Sequence, residues 1–295
     1  MTPQPETSLK KTWNILMPFV VYFIAHDLAQ VLLAYLMNMS LGLGESYAEY
    51  IFAHTQTVNA VLNALSLLIG MAFVWPMAKT EFQLAGLLRK KPGENTSQAA
   101  SQRASKAKFR AINQAIPGTS AFAAYILLAI FAITLAMGTN LLLLLTGIAE
   151  RSASYQDIAS RQFGVAFAAG IIIYGILSPL AEEIVFRGLI YNRMKRYFNP
   201  ALSIIVCGIL FGGYHGNLVQ GIYGCILGIA ITFSYELFQT FTAPVLFHSL
   251  ANLSVFMTAY SSQGLTGMAT MLNCLIFLTI SLISFFLMWK LKKYT

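Results

Sequence analysis

Eight apolar runs occupy most of this chain, and no other feature restricts its fold as strongly. They lie at about residues 13–37, 58–78, 119–147, 164–190, 200–215, 217–238, 241–259 and 269–289. Crossing the hydrocarbon core of a bilayer takes about 20 mostly apolar residues as a helix. Inside lipid every backbone N–H and C=O must find a partner within the protein, which leaves helices as the natural form for such runs. Hydrophobic residues make up 57% of the chain and charged residues 10%, where a soluble domain carries roughly a quarter charged. The expected fold is therefore all-α, a polytopic membrane bundle of about eight transmembrane helices with a polar intramembrane cavity. The run 200–215 is short for a span and is expected to tilt or to be half-buried.

Charge sets the expected topology. Of the 19 Lys and Arg residues, 16 fall in four clusters: Lys10 and Lys11; Lys79 to Arg110; Arg193, Lys195 and Arg196; and Lys290, Lys292 and Lys293. Such clusters mark cytoplasmic loops. The 38–57 loop carries Glu45 and Glu49 and no Lys or Arg, and belongs outside with 148–163. Both termini then lie in the cytoplasm, and the run after Lys10 and Lys11 reads as a retained first span. The net charge of +8 does not point to nucleic acid, since the basic loop has few aromatics on which bases could stack. Cys207, Cys225 and Cys274 sit in apolar runs without a CxxC pair and read as small hydrophobes. Gly221, Gly224 and Gly228 form a small-residue face suited to close helix packing.

Three polar islands interrupt the second half. The first is AEEIVFRG, with Glu182, Glu183 and Arg187. Charges inside a span are costly and are kept for a reason. Glu183 and Arg187, four apart, lie about 40° apart on one helix face, whereas Glu182 lies about 140° from Arg187. Arg187 is therefore expected to neutralise Glu183 and to leave Glu182 for another task. Pro179, one turn upstream, is expected to bend the helix. The second island is FGGYHGN, where Phe211 and His215 share a face; the third is HSLAN, where His248 and Asn252 do. Each alone is compatible with packing or helix–helix hydrogen bonding. Together they offer a buried carboxylate, imidazoles and a side-chain amide, a set able to activate water and to stabilise an oxyanion. None of these motifs places a serine or cysteine as nucleophile.

The ordered trio EEIVFR, FGGYH and HSLAN resembles the motifs EExxxR, FxxxH and HxxxN of the CPBP family, which comprises type 2 CAAX prenyl proteases and bacteriocin-processing or immunity proteins. The text GCILGIAITFSYELFQTFTAPVLFHSLANL resembles that family too, and the likeness covers about residues 165–258. It implies intramembrane cleavage of a peptide bond. Glu182 and His215 would activate a water, His248 and Asn252 would stabilise the oxyanion, and Glu183, Arg187 and Phe211 would support the site. It also raises zinc, for which Glu182, His215 and His248 would be the ligands. A metal-free glutamate mechanism is favoured, because it also accounts for Asn252, a poor zinc ligand.

The chain then divides into residues 1–118, spans with a basic cytoplasmic loop, and 119–295, a bundle holding the CPBP-like core. The expected partners are the lipid bilayer and a peptide or protein substrate, the substrate being membrane-associated, prenylated or a secreted peptide, in what is expected to be a bacterial plasma membrane. The cavity is expected to open toward the basic 191–199 loop. A non-catalytic scaffold or immunity protein that binds a peptide is the alternative, and a proton-coupled transporter is a more distant one. His26 and Asp27 are expected to bond between helices rather than to form a joint site. His54 is expected to be solvated, and Glu236 to sit at an interface.

Overall fold

The computed structural model describes residues 7–85, 121–261 and 264–293, and all regular structure among them is helical. The principal helices are α1 (Ser8–Ser40), α2 (Glu45–Ala53), α3 (Thr55–Leu84), α4 (Ala121–Leu145), α5 (Ala153–Phe163), α6 (Phe167–Met194), α7 (Pro200–Tyr214), α8 (Leu218–Phe238), α9 (Thr242–Ala259) and α10 (Met271–Lys293). Each expected span falls on one of them. Among the described residues six are long and apolar enough to cross a membrane by length and composition: α1, α3, α4, α6, α8 and α10. The other two expected runs form the shorter helices α7 and α9. α7 has only 15 residues, and α9 carries His248 and Asn252 within its 18. The basic loop expected at 79–118 lies outside the described residues from 86 onward, while Lys79 to Leu84 continue α3.

Helix α6 is the axis of the bundle. Every residue from Ala181 to Tyr191 is buried, with Val74, Ala78 and Phe82 of α3, Cys207 and Phe211 of α7, Leu227 and Ile231 of α8, and Phe247 and Ala251 of α9 in the same core. Two stretches of α6, Ile173–Leu177 and Ile184–Tyr191, have the wider π geometry with i→i+5 bonds. Such widened turns recur at functional sites. The first has a local cause. Ser178 N–H bonds the carbonyl of Ile173, and the next bond in the series would need an N–H at position 179. Pro179 has none, so the Tyr174 carbonyl is left without a partner from its own helix. The proline expected to bend the helix thus frees a backbone acceptor.

Helices α7 and α8 form a short hairpin. Asn199 caps α7 by accepting from Leu202 N–H at 2.8 Å, with Pro200 at the first turn, where its missing N–H costs nothing. Asn217 caps α8 by accepting from Gln220 N–H at 2.9 Å. Between them Gly216 takes φ +71°, a conformation that favours glycine. The expected glycine face does bring the two backbones together. A Cβ at Gly212 would stand 2.4 Å from the Gly221 carbonyl oxygen and 2.7 Å from the Cys225 nitrogen. A Cβ at Gly208 would stand 2.7 Å from the Ile229 nitrogen.

The basic cluster after α6 does more than mark topology. Arg193 donates to Glu81 Oε1 at 2.9 Å and to the Asn14 carbonyl at 2.7 Å, and Arg196 also pairs with Glu81. Lys195 pairs with Glu236 at 2.8 Å, and the Tyr191 hydroxyl donates to the same carboxylate at 2.9 Å. The end of α6 is thereby clamped to α1, α3 and α8, and Glu236 is an interface residue as expected. Among the described residues Cys207, Cys225 and Cys274 are free thiols. His54 is exposed and bonds the Tyr50 carbonyl at 2.8 Å.

The hairpin yields a paired test. Gly212→Ala pushes a methyl into backbone, and overpacking of this kind costs about 1–3 kcal/mol. It should lower the melting temperature of the detergent-solubilised protein by several degrees. Gly213→Ala, with no atom within 4 Å of its Cβ, should leave it nearly unchanged.

Candidate active site

The three polar islands converge. Glu182 and Glu183 come from α6, His215 from the end of α7, and His248 and Asn252 from α9. All but Glu183 line one cavity of about 290 Å³.

The Arg187–Glu183 pair is fully buried, with Nη1 donating to Oε1 at 2.6 Å. Arg187 makes three further contacts that fix its plane. Nε donates to Thr232 Oγ1 at 3.2 Å, Nη2 donates to the Gly228 carbonyl at 2.9 Å, and the guanidinium lies 4.7 Å above the Phe211 ring. Phe211 is also edge-on to His248, centroid to centroid 5.5 Å, and to His215 at 5.1 Å. It is the packing hub that the FxxxH spacing places between the cation and both imidazoles.

Glu183 does more than balance Arg187. The same Oε1 accepts from His248 Nδ1 at 2.7 Å. A carboxylate oxygen can only accept here, so Nδ1 carries the proton and the ring orientation is set. Nε2 then faces Glu182 Oε2 at 3.8 Å. The expected division between the two glutamates appears as two different environments. Glu182 Oε1 accepts from Ser178 Oγ at 2.6 Å. Its Oε2 is buried and has no hydrogen-bond partner among the described residues.

His215 Nδ1 lies 2.9 Å from the Phe211 carbonyl, which can only accept. Nδ1 therefore holds the proton and Nε2 is the ring's free acceptor in the neutral form. Asn252 donates Nδ2 to the Tyr174 carbonyl at 3.1 Å, the acceptor that Pro179 left unpaired. One of its two amide hydrogens is so used, and the other remains. Among the described residues no three His, Cys, Asp or Glu side chains are grouped as metal ligands would be.

Sequence reasoning did not single out Ser178, Tyr174, Thr232 or Asn63. Ser178 stands four before Glu182, and that spacing was a readable signal. Tyr174 contributes a main-chain carbonyl and carries no side-chain signal. Asn63, on α3, lines the cavity and lies with Oδ1 3.3 Å from His26 Nε2. This is the helix–helix bond expected of His26. His26 Nδ1 also meets Asp27 Oδ1 at 2.9 Å.

The cavity runs away from the basic loop. Its far wall takes Tyr155 and Gln162 from α5, Asn140 from the end of α4 and Gln220 from the start of α8. These lie at the end of the bundle opposite Arg193, Lys195 and Arg196. The expected opening toward 191–199 does not match this lining, which takes no residue from that loop. Burial raises the Tyr155 phenol above its ordinary range, which keeps it a neutral donor at the rim.

Residues 164–254 match the family model described as type II CAAX prenyl endopeptidase, Rce1-like. A stretch of 85 residues is 26% identical to "Putative membrane peptidase YdiL" of Bacillus subtilis (strain 168), and covers 29% of this chain and 35% of that relative. The chain thus spans about a third of the relative's length. No solved structure matches.

Removing one partner of a buried ion pair strands the other, at about 3–5 kcal/mol. Arg187→Leu should therefore sharply lower the unfolding midpoint in detergent. Glu183→Gln added to it should recover part of the loss.

Proposed function

We propose, for a chain that belongs through residues 164–254 to the CPBP family of membrane proteases, that it is an intramembrane endopeptidase using Glu182 as the base for an attacking water. The reading rests above all on Glu182 Oε2, a buried carboxylate oxygen with no partner among the described residues, on the wall of a polar cavity. Ser178 holds the other oxygen. A water between Glu182 Oε2 and His215 Nε2 would meet two acceptors.

In the reaction Glu182 takes one proton from the water as its oxygen bonds the scissile carbonyl carbon. The carbonyl electron pair moves to oxygen and forms the oxyanion. Asn252 offers its second amide hydrogen to that oxyanion, and His248 offers Nε2–H from a doubly protonated ring. Two carboxylates, Glu183 at 2.7 Å and Glu182 at 3.8 Å, stand beside that imidazolium. Collapse of the intermediate breaks the C–N bond, and Glu182 delivers its proton to the leaving nitrogen. Glu183 and Arg187 position His248 and touch no reacting atom. No step runs through a metal.

The substrate is a peptide segment in or at the membrane, from a membrane-associated or prenylated protein or a secreted peptide. The reading takes the membrane to be a bacterial plasma membrane, with the 191–199 loop and both termini in the cytoplasm by the distribution of Lys and Arg.

The test is cleavage of a peptide library by the purified protein, beside Glu182→Gln and with a strong chelator. General-base catalysis is worth about 10²–10⁴-fold, and Glu182→Gln should lose that much. Cleavage by the wild type should survive chelation. Activity lost to chelator and restored by zinc would make the base metal-bound, and full activity in Glu182→Gln would remove Glu182 from the mechanism.

A further inference from the structure

A second cavity, of about 800 Å³, lies between α1, the start of α3 and α5. Its polar lining includes Gln30, Gln56, Asn59, Asn63, Arg161 and Tyr174. Asn63 and Tyr174 also line the candidate active site, so the two spaces share a wall. Neither the catalytic motifs nor the family match at 164–254 includes Gln30, Gln56, Asn59 or Asn63.

Gln30 is exposed on α1 among Leu28, Val31 and Leu32, themselves 66%, 69% and 56% exposed. Asn59 is exposed one turn into α3, and Asn63 follows four residues later on the same face. The side chains of Gln30, Gln56 and Asn59 make no hydrogen bond among the described residues. An amide that meets hydrocarbon without a partner costs roughly 1–3 kcal/mol in protein settings.

We propose that this cleft is a peptide-binding subsite that takes an extended, non-helical segment and leads it past Asn63 and Tyr174 to Glu182. The inference rests on the peptidase reading and adds where the substrate lies. A peptide released from helical structure inside a membrane has unpaired N–H and C=O groups along its length, and each must be satisfied. Asn and Gln side chains match that need, for each presents two donors and an acceptor without a charge. A lipid phosphate would call for a free cation. Arg161 is the one cationic side chain on this lining, and Asp157 already occupies it, through Nε at 3.1 Å and Nη2 at 3.0 Å. The volume lies within the about 300–1,000 Å³ of ordinary ligand sites. The cleft borders α5 and the start of α3, so a segment enters from the end of the bundle opposite the basic loop.

The test uses an unstructured Gly/Ala/Ser/Val peptide carrying a benzophenone, irradiated with the full chain in lipid nanodiscs and mapped by mass spectrometry. Crosslinks are expected on the α1 and α3 segments that contain Gln30 and Asn59. Losing two hydrogen bonds should cut capture roughly 30-fold. Gln30→Leu with Asn59→Leu should show it, and Gln56→Leu should show a smaller loss. Leucine suits a lipid-facing position, and an unchanged melting temperature would confirm that the fold is intact. Equal capture by wild type and variants, or crosslinks confined to α10, would overturn the proposal, as would displacement by anionic lipid but not by unlabelled peptide. Capture in the cleft by a wild type that cleaves no library peptide would sink the catalytic reading and leave this subsite standing. Cleavage with no capture in the cleft would do the reverse.

Discussion

Arg187 is the interaction on which the rest depends. A guanidinium with no solvent exposure is tolerable only where its donors are satisfied and its charge is met. Glu183, Thr232, the Gly228 carbonyl and the Phe211 face meet those needs from α6, α7 and α8. Each partner is thereby held at a defined distance from α6. Glu183, fixed by Arg187, in turn fixes the His248 ring of α9. One buried cation thus sets the relative placement of the helices that carry the candidate chemistry.

Glycine and proline supply the backbone that this arrangement requires. Gly208 and Gly212 let α7 lie directly on α8, with Phe211 over Arg187, and Gly216 at φ +71° turns the chain just past His215. Pro179 leaves the Tyr174 carbonyl to Asn252. Polar pairing at one end of α6 and a polar cavity at the other divide the bundle by chemistry. The clamp of Glu81 and Glu236 with the basic side chains is satisfied within the protein, whereas Glu182 Oε2 is not. An unsatisfied carboxylate oxygen beside a cavity is the feature that a water or a substrate would complete.

Much of this was legible in the chain. The apolar runs indicated helices because lipid offers the backbone no other partner. The i, i+4 spacing of Glu183 with Arg187, of Phe211 with His215 and of His248 with Asn252 indicated shared faces, and the first of these is the observed ion pair. The likeness to a protease family rested on the same three motifs, and the family match falls on the same segment. Other features were not legible. That His248 would bond Glu183 depends on the approach of α9 to α6, which no local spacing encodes. The cavity's direction was misjudged, because its far wall is built from α4, α5 and the start of α8, and which helix ends meet there is not encoded in any local spacing.

The sequence by itself determined the helices, the membrane class, the motif residues and the split between Glu182 and Glu183, since these follow from hydropathy and from the geometry of one helix. Only the tertiary structure decided which imidazole nitrogen faces Glu182, which carbonyl holds Asn252, and which end of the bundle the cavity reaches. Those outcomes depend on distances between separate helices, and such distances are set by packing around Arg187 and the α7–α8 glycines, where several weak local preferences must be satisfied at once.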